Sequence, residues 1–287
     1  MRLSLSTHLF VYNKLGVSAL QAMAACPLNS LEVWLARPHL EWRDAAAMTS
    51  FRAQLQEFGL NASSVHLPLY PSVPELLEQN IRWSVIDSDP EQRRAAMEGT
   101  IDGIRAAKLL GAKQAVFHLG WPADLWTEET FDLARSSMRE LLKVAADCEV
   151  TLAVENLTSA GTSVAAILQL LDDVDDFGSG GICLDVGHAN LEGDVIEIIR
   201  LAAPRMTHMH LHDNDGSGDQ HRAPGDGNLD WTAIHQVLSE LNFDGYGAVE
   251  IRDYSKGETE AELLLHQSLS AASRKLQALP QYTLLNA

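Results

Sequence analysis

The sequence predicts an α/β protein, a single (β/α)8 barrel running from residue 1 to residue 287. Two observations carry this. Short apolar runs rich in β-branched residues alternate with longer stretches at helical period, and the alternation repeats eight times. The chain is also close to the ~250 residues typical of one such barrel. An open doubly wound sheet is the alternative. It would normally carry a glycine-rich phosphate turn after an early strand, and no GxGxxG is present.

The expected strands, in order, are Arg2–Phe10, Ser30–Ala36, Leu60–Leu67, Ala112–Leu119, Glu149–Asn156, Gly181–Val186, Arg205–His212 and Tyr246–Arg252. A helical stretch follows each. Within Pro90–Leu110, the residues Ala95, Ala96, Ile101, Ile104, Ala107 and Leu110 trace an apolar face, and Gly111 is a stop signal. Thr127 is placed to cap Thr127–Cys148, with Glu128 and Glu129 in its first turn. Two connections are long. Pro68–Asp89 carries Tyr70, Pro71, Pro74 and Trp83, and Asp213–Asp230 is rich in Gly and Asp. Long loops in a compact domain are usually functional.

Composition narrows the function. Apolar residues make up 46%, so a disordered chain is excluded. Lys and Arg number 21 against 39 Asp and Glu, a formal charge of −18 that repels phosphate backbones and disfavours nucleic acid as a partner. The three cysteines, Cys26, Cys148 and Cys183, are widely spaced and form no CxxC, which fits a reducing compartment. The first residues lack the apolar run of a signal peptide, and no stretch reaches the ~18 apolar residues of a membrane span. A cytoplasmic protein is expected, and homo-oligomerisation is compatible with the sequence.

Catalytic groups of a βα barrel sit at the C-terminal strand ends. There the chain places His66, His118, Glu155, Asp185, His188, His210 and Glu250, with Asp219 and His221 in the loop after the seventh strand. Eight of its eleven histidines lie at or near these ends. Strand periodicity puts Ala153 with Glu155, Cys183 with Asp185, and Ala248 with Glu250 on one face, leaving Val154, Leu184 and Val249 for the helices. Several converging carboxylates with few Lys or Arg nearby need a counter-charge. A divalent cation with neutral imidazoles supplies one. Taken singly, His8, His208 and His212 read as structural or supporting residues. His208 and His210 lie roughly 6–7 Å apart along a strand, so they do not both read as ligands. Cys183 reads as core. Trp121 and Trp126 either wall a pocket or pack on the following helix.

In this order, the motifs VEN, LDVGHA, HLHDND and HRAPGDGNLDW resemble the xylose-isomerase-like TIM barrel superfamily. That group includes sugar isomerases and epimerases, inosose dehydratases and the endonuclease IV (AP endonuclease) family. The epimerase branch implies one metal held by Glu155, Asp185, His210 and Glu250, with His188 and Arg222 on substrate oxygens. The endonuclease IV pattern implies nine ligands: those four with His66, His118, His188, Asp219 and His221. That set suits three zinc ions, with Glu155 bridging two. The acidic surface favours a small substrate, a sugar or sugar phosphate. The resemblance therefore implies an isomerase or epimerase using one to three ions of Mn, Co, Mg or Zn. Glu155 and Glu250 would move protons through a metal-stabilised enediolate. His188, His221, His66, His118 and Arg222 would bind substrate, and Arg222, Arg252 and Lys256 are the candidates for a phosphate. The alternatives are a multinuclear zinc phosphoesterase, with Tyr70 as a wedge into DNA, an inosose-type dehydratase, or a silent sugar-binding barrel.

Overall fold

Every expected strand forms, and all eight pair in parallel, in sequence order, around a closed barrel. The computed structural model describes residues 1–277; the last ten positions of the expected domain lie outside the described residues. In chain order the elements are β1 (Arg2–Ser6), α1 (Val17–Ala24), β2 (Ser30–Trp34), α2 (Ala45–Glu57), β3 (Asn61–His66), α3 (Val73–Gln79) and α4 (Pro90–Leu110). Then come β4 (Gln114–Phe117), α5 (Glu128–Cys148), β5 (Thr151–Glu155), α6 (Val164–Val174), β6 (Gly180–Asp185) and α7 (Val186–Glu192). The chain continues through α8 (Val195–Ala202), β7 (Met206–Leu211), α9 (Trp231–Glu240), β8 (Tyr246–Val249) and α10 (Ala261–Gln277).

Most strands are shorter than the apolar runs that announce them. The first stops at Ser6, whose hydroxyl accepts the N–H of His8 and turns Thr7–Phe10 into a 3-10 helix. Helix starts carry the acidic signature. Asp44, Asp89, Asp194 and Asp230 each cap a helix by accepting two backbone N–H groups. Part of the chain's negative charge is thus built into its helix starts. Thr127 and Thr130 form a reciprocal capping pair at the start of α5. Gly111 ends α4 at φ 81°, a left-handed position that costs glycine least. On α5 the residues Ala134, Met138, Leu141, Leu142 and Ala145 are fully buried, and each large side chain among them contributes about 1.5–3 kcal/mol.

The expected inward and outward faces are both present. Val116, Ala153 and Cys183 form a small apolar cluster of their own, while Val154, Leu184 and Val249 join the large core that includes helix residues Ile167, Leu171 and Ile199. Neither long connection is structureless. Pro68–Asp89 contains α3, capped by Ser72. In Asp213–Asp230, Asp213 and Arg222 form a backbone bridge, and the Asp213 carboxylate accepts from Asn214 N, Gly225 N, Leu229 N and the Trp231 indole. None of the described helices is long and apolar enough to cross a membrane.

Candidate metal centre

Four strand ends meet at one point. Glu155 closes β5, Asp185 closes β6, His210 lies in β7 and Glu250 follows β8. Each offers one ligand atom, all within 4.8 Å of one another, and none of the four residues is more than 2% exposed. Nδ1 of His210 lies 3.1 Å from Glu250 Oε2, 3.3 Å from Glu155 Oε2 and 3.7 Å from Asp185 Oδ2. Neither ring nitrogen of His210 makes a hydrogen bond. An imidazole whose Nδ1 faces three carboxylates, yet is bonded to none, is arranged to share a cation with them.

Two further donor sets flank this point: His66, His118 and Glu155 on one side, and His188, His212, Asp219 and His221 on the other. In three of their histidines the tautomer is set by a carbonyl oxygen, which only accepts. Nδ1–H of His66 donates to Leu67 O at 3.0 Å, that of His188 to Asn156 O at 2.9 Å and that of His221 to Glu250 O at 3.3 Å. In the neutral rings the Nε2 lone pairs then face carboxylates: His66 toward Glu155 at 3.5 Å, and His188 and His221 toward Asp219 at 3.7 and 3.2 Å. Lone pair against carboxylate is repulsive unless a proton or a metal ion lies between them, so the donor set fits bound metal.

The surroundings hold these groups in place. Asn156, the last residue of the VEN motif, accepts the Asp185 N–H at 2.7 Å and donates to the Asp185 carbonyl at 3.2 Å, tying β5 to β6. Asp185 caps α7 by accepting the N–H of His188. His221 has φ 45°, a left-handed backbone that costs a non-glycine residue about 1–2 kcal/mol. Burial pushes the Glu250 carboxyl up, but the charge of His210, helped by His221 and His8, prevails and holds it at about 2. Burial likewise lowers His188, yet Asp185, Asp219 and Glu155 raise it to about 10.

The structure also places the remaining residues. His118 lies 3.0 Å from Glu155. Arg222 stands apart: its guanidinium donates to Asp215 at 2.8 Å and to the Asp226 carbonyl, and it does not line the central cavity. That cavity, about 610 Å3, is lined by Arg82, Arg252 and Lys256, with Arg82 lying over the Trp121 ring. Leu69, Tyr70, Leu76, Trp121 and Leu157 contribute to its wall. Trp126 instead packs on Phe131 of the following helix, α5. Three residues gain weight that sequence reasoning withheld. His212 Nε2 contacts Asp185 at 2.9 Å and its ring stacks on His221. Trp34 donates its indole N–H to Glu250. Glu32 is fully buried beside His208 and His210. The alternation in SLEVW was the available signal, because Leu31 and Val33 join the core beneath the covering helices and leave Glu32 on the inward phase. Cys183 packs with Val116 and Ala153, and its sulfur also lies within 4.8 Å of ring nitrogens of His208 and His210.

Comparison with known proteins settles the family. A family model described as "Xylose isomerase-like TIM barrel" matches residues 19–273. The chain belongs to that family. Among the curated members of similar sequence, an uncharacterised protein of Methanocaldococcus jannaschii is 28% identical over 182 residues, covering 60% of this chain and 62% of its own. A D-psicose 3-epimerase of Enterocloster bolteae is 32% identical over 182 residues, 58% of this chain and 57% of its own. The chain thus spans about three fifths of these relatives. A solved protein from Thermus thermophilus, soaked with zinc chloride, superposes with a TM-score of 0.70 at 26% identity, covering 98% of both chains. Within the xylose isomerase-like family, this chain presents three adjoining His and carboxylate donor sets at the carboxyl ends of its strands.

Proposed function

We propose that the chain is a divalent-metal-dependent sugar or sugar-phosphate isomerase or epimerase. The observation that carries this reading is the convergence of Glu155, Asp185, His210 and Glu250 within 4.8 Å, with Glu155 and Glu250 also lining a cavity of about 610 Å3. The curated D-psicose 3-epimerase relative supports it. Bound by these four residues, an ion supplies Lewis acidity to a ketose carbonyl and its neighbouring hydroxyl. Glu155 and Glu250 come from non-adjacent strands. One takes the proton from the carbon beside the carbonyl, and the other returns a proton from the opposite face. The Trp34 indole, bonded to Oε1 of Glu250, fixes the plane of that carboxylate. His188 and His221 line the cavity and orient hydroxyl groups. Arg82, Arg252 and Lys256 receive a phosphate, if the sugar carries one, in place of Arg222.

The flanking donor sets favour a second reading, a multinuclear phosphoesterase. One experiment separates the two. Metal content is counted by elemental mass spectrometry, and the loaded protein is incubated with ketoses and ketose phosphates in D2O. Carbon-bound deuterium that disappears in Glu155→Gln and Glu250→Gln supports the isomerase. Cleavage of abasic DNA by a three-zinc protein, without exchange, overturns it.

A further inference from the structure

Glu32 is a carboxylate in the interior of a closed barrel, at 0% exposure, in the middle of β2. A register shift between Leu31 and Glu32 sets it opposite Ser64 of β3, while on its other side it pairs with Ser6 of β1. Both serines donate to it: Ser64 Oγ to Oε2 at 3.0 Å, and Ser6 Oγ to Oε1 at 3.4 Å. The carboxylate also bridges two levels of β7. Oε2 meets His208 Nε2 at 2.9 Å, and Oε1 lies 3.0 Å from His210 Nε2 in a bent approach. Among the described residues, its ion-pair contacts are with these two imidazoles alone.

An ionised carboxylate only accepts, and a neutral imidazole carries one ring proton. With its proton on Nδ1, His210 would aim the Nε2 lone pair at Oε1 of Glu32. With the proton on Nε2, the ring meets Glu32 favourably. Its Nδ1 lone pair then faces Glu250, Glu155 and Asp185 at 3.1, 3.3 and 3.7 Å. We infer that Glu32 is the positioning residue of the metal centre, holding His210 as the Nε2–H tautomer so that Nδ1 is the metal-binding atom. The inference rests on the metal-centre reading above. Ser6, Ser64 and His208 aim the carboxylate, and the carboxylate in turn raises the basicity of the ligating imidazole. Glutamine keeps the volume but removes the charge, and its amide NH2 takes the place of an acceptor on one side, where it favours the opposite tautomer of the facing imidazole.

The test uses Co2+ as the probe, titrated into full-length protein and followed by visible absorption. Histidine tautomers are read from long-range 1H–15N spectra of the Zn2+-loaded protein. The wild type is expected to bind Co2+ and to show His210 as Nε2–H. Glu32→Gln weakens Co2+ binding by about 10–100-fold, and Glu32→Asp recovers part of the loss. Ser64→Ala keeps the charge and the fold and weakens binding by a few fold, which keeps the test open if Glu32→Gln does not fold. Equal Co2+ affinity in Glu32→Gln, or in Ser64→Ala where the former is unfolded, overturns the inference. So does a loaded His210 carrying its proton on Nδ1. A wild type that binds no Co2+ overturns the metal-centre reading itself.

Discussion

The indole of Trp34, at the end of β2, reaches past β1 to Glu250, donating its Nε1–H to Oε1 at 3.0 Å. The same ring lies between His8 and His66, at centroid distances of 4.2 and 4.0 Å. Its backbone N–H is held by Thr7 Oγ1 at 2.9 Å. A Trp34→Phe substitution keeps an aromatic ring in the stack and removes the donor. A lost hydrogen bond to a buried charge costs about 1.5–3 kcal/mol. The expected outcome is a chemical-denaturation midpoint lowered accordingly. An unchanged midpoint would show that the bond does not anchor Glu250.

Glu155→Gln and Glu250→Gln each remove a proton-transfer group and a ligand charge while conserving volume. Deuterium wash-in from solvent into a ketose substrate should fall by at least about 100-fold in either variant. Circular dichroism should be unchanged. Exchange at the wild-type rate in both variants would remove these residues from the chemistry.

An ion that binds the folded chain alone stabilises it by about 2.7 kcal/mol at a hundredfold excess over its dissociation constant. For a chain of this size, each kcal/mol is worth roughly 2–4 °C in midpoint. Adding Mn2+, Co2+ or Zn2+ to chelator-treated protein should therefore raise the melting temperature by several degrees. Chelation should reverse the rise. Coincident melting curves with and without every ion would count against the site.

His39 links acidity to stability away from the metal centre. It is fully buried, with Nδ1–H donating to Asn13 O and Nε2 beside the Thr7 hydroxyl. Burial lowers its pKa to about 4, against partial opposition from hydrogen bonds to Asn13 and Phe10. The unfolded chain takes up the proton near pH 6.5 and the folded chain only near 4, so this contribution is complete above pH 6.5. It is lost as pH falls toward 4, by about 3 kcal/mol in all. Urea unfolding of wild type and His39→Gln between pH 7 and 4 should show a shallower pH slope in the variant. Parallel slopes would assign the acid sensitivity elsewhere.

Gly187 stands between Asp185 and His188, where an added Cβ would come within 2.0 Å of the His212 ring. Gly187→Ala must push His212 off Asp185 and out of its stack on His221. Overpacking of this kind costs about 1–3 kcal/mol. Calorimetry should show the loss, together with weaker uptake of any ion beyond the first. An alanine variant as stable as wild type would mean that the loop yields instead.

The barrel was legible because each unit carries its own local signal. The helix of Pro90–Leu110 starts after Asp89 and stops before Gly111, as capping chemistry dictates. The four clustered residues were legible because acids and imidazoles at strand ends inherit their position from the topology. Glu32 was not, because it lies in the middle of its strand rather than at the carboxyl end where catalytic groups are expected. Closure of the barrel and the shift at Leu31/Glu32 turn it inward. Arg222 follows His221 in sequence, but the left-handed backbone at His221 and the bridge to Asp213 send its guanidinium to Asp215. Local pattern cannot show that turn. Arg82, in the connection between α3 and α4, lines the cavity through loop geometry that has no period to read.

Because the Trp34 indole touches His8, His66 and Glu250 at once, its light emission depends on the charge they carry. A change of charge that close shifts the colour and brightness of an excited indole. The difference between the fluorescence of the intact chain and that of Trp34→Phe is therefore an optical gauge of the site's occupancy, readable without a substrate or a label.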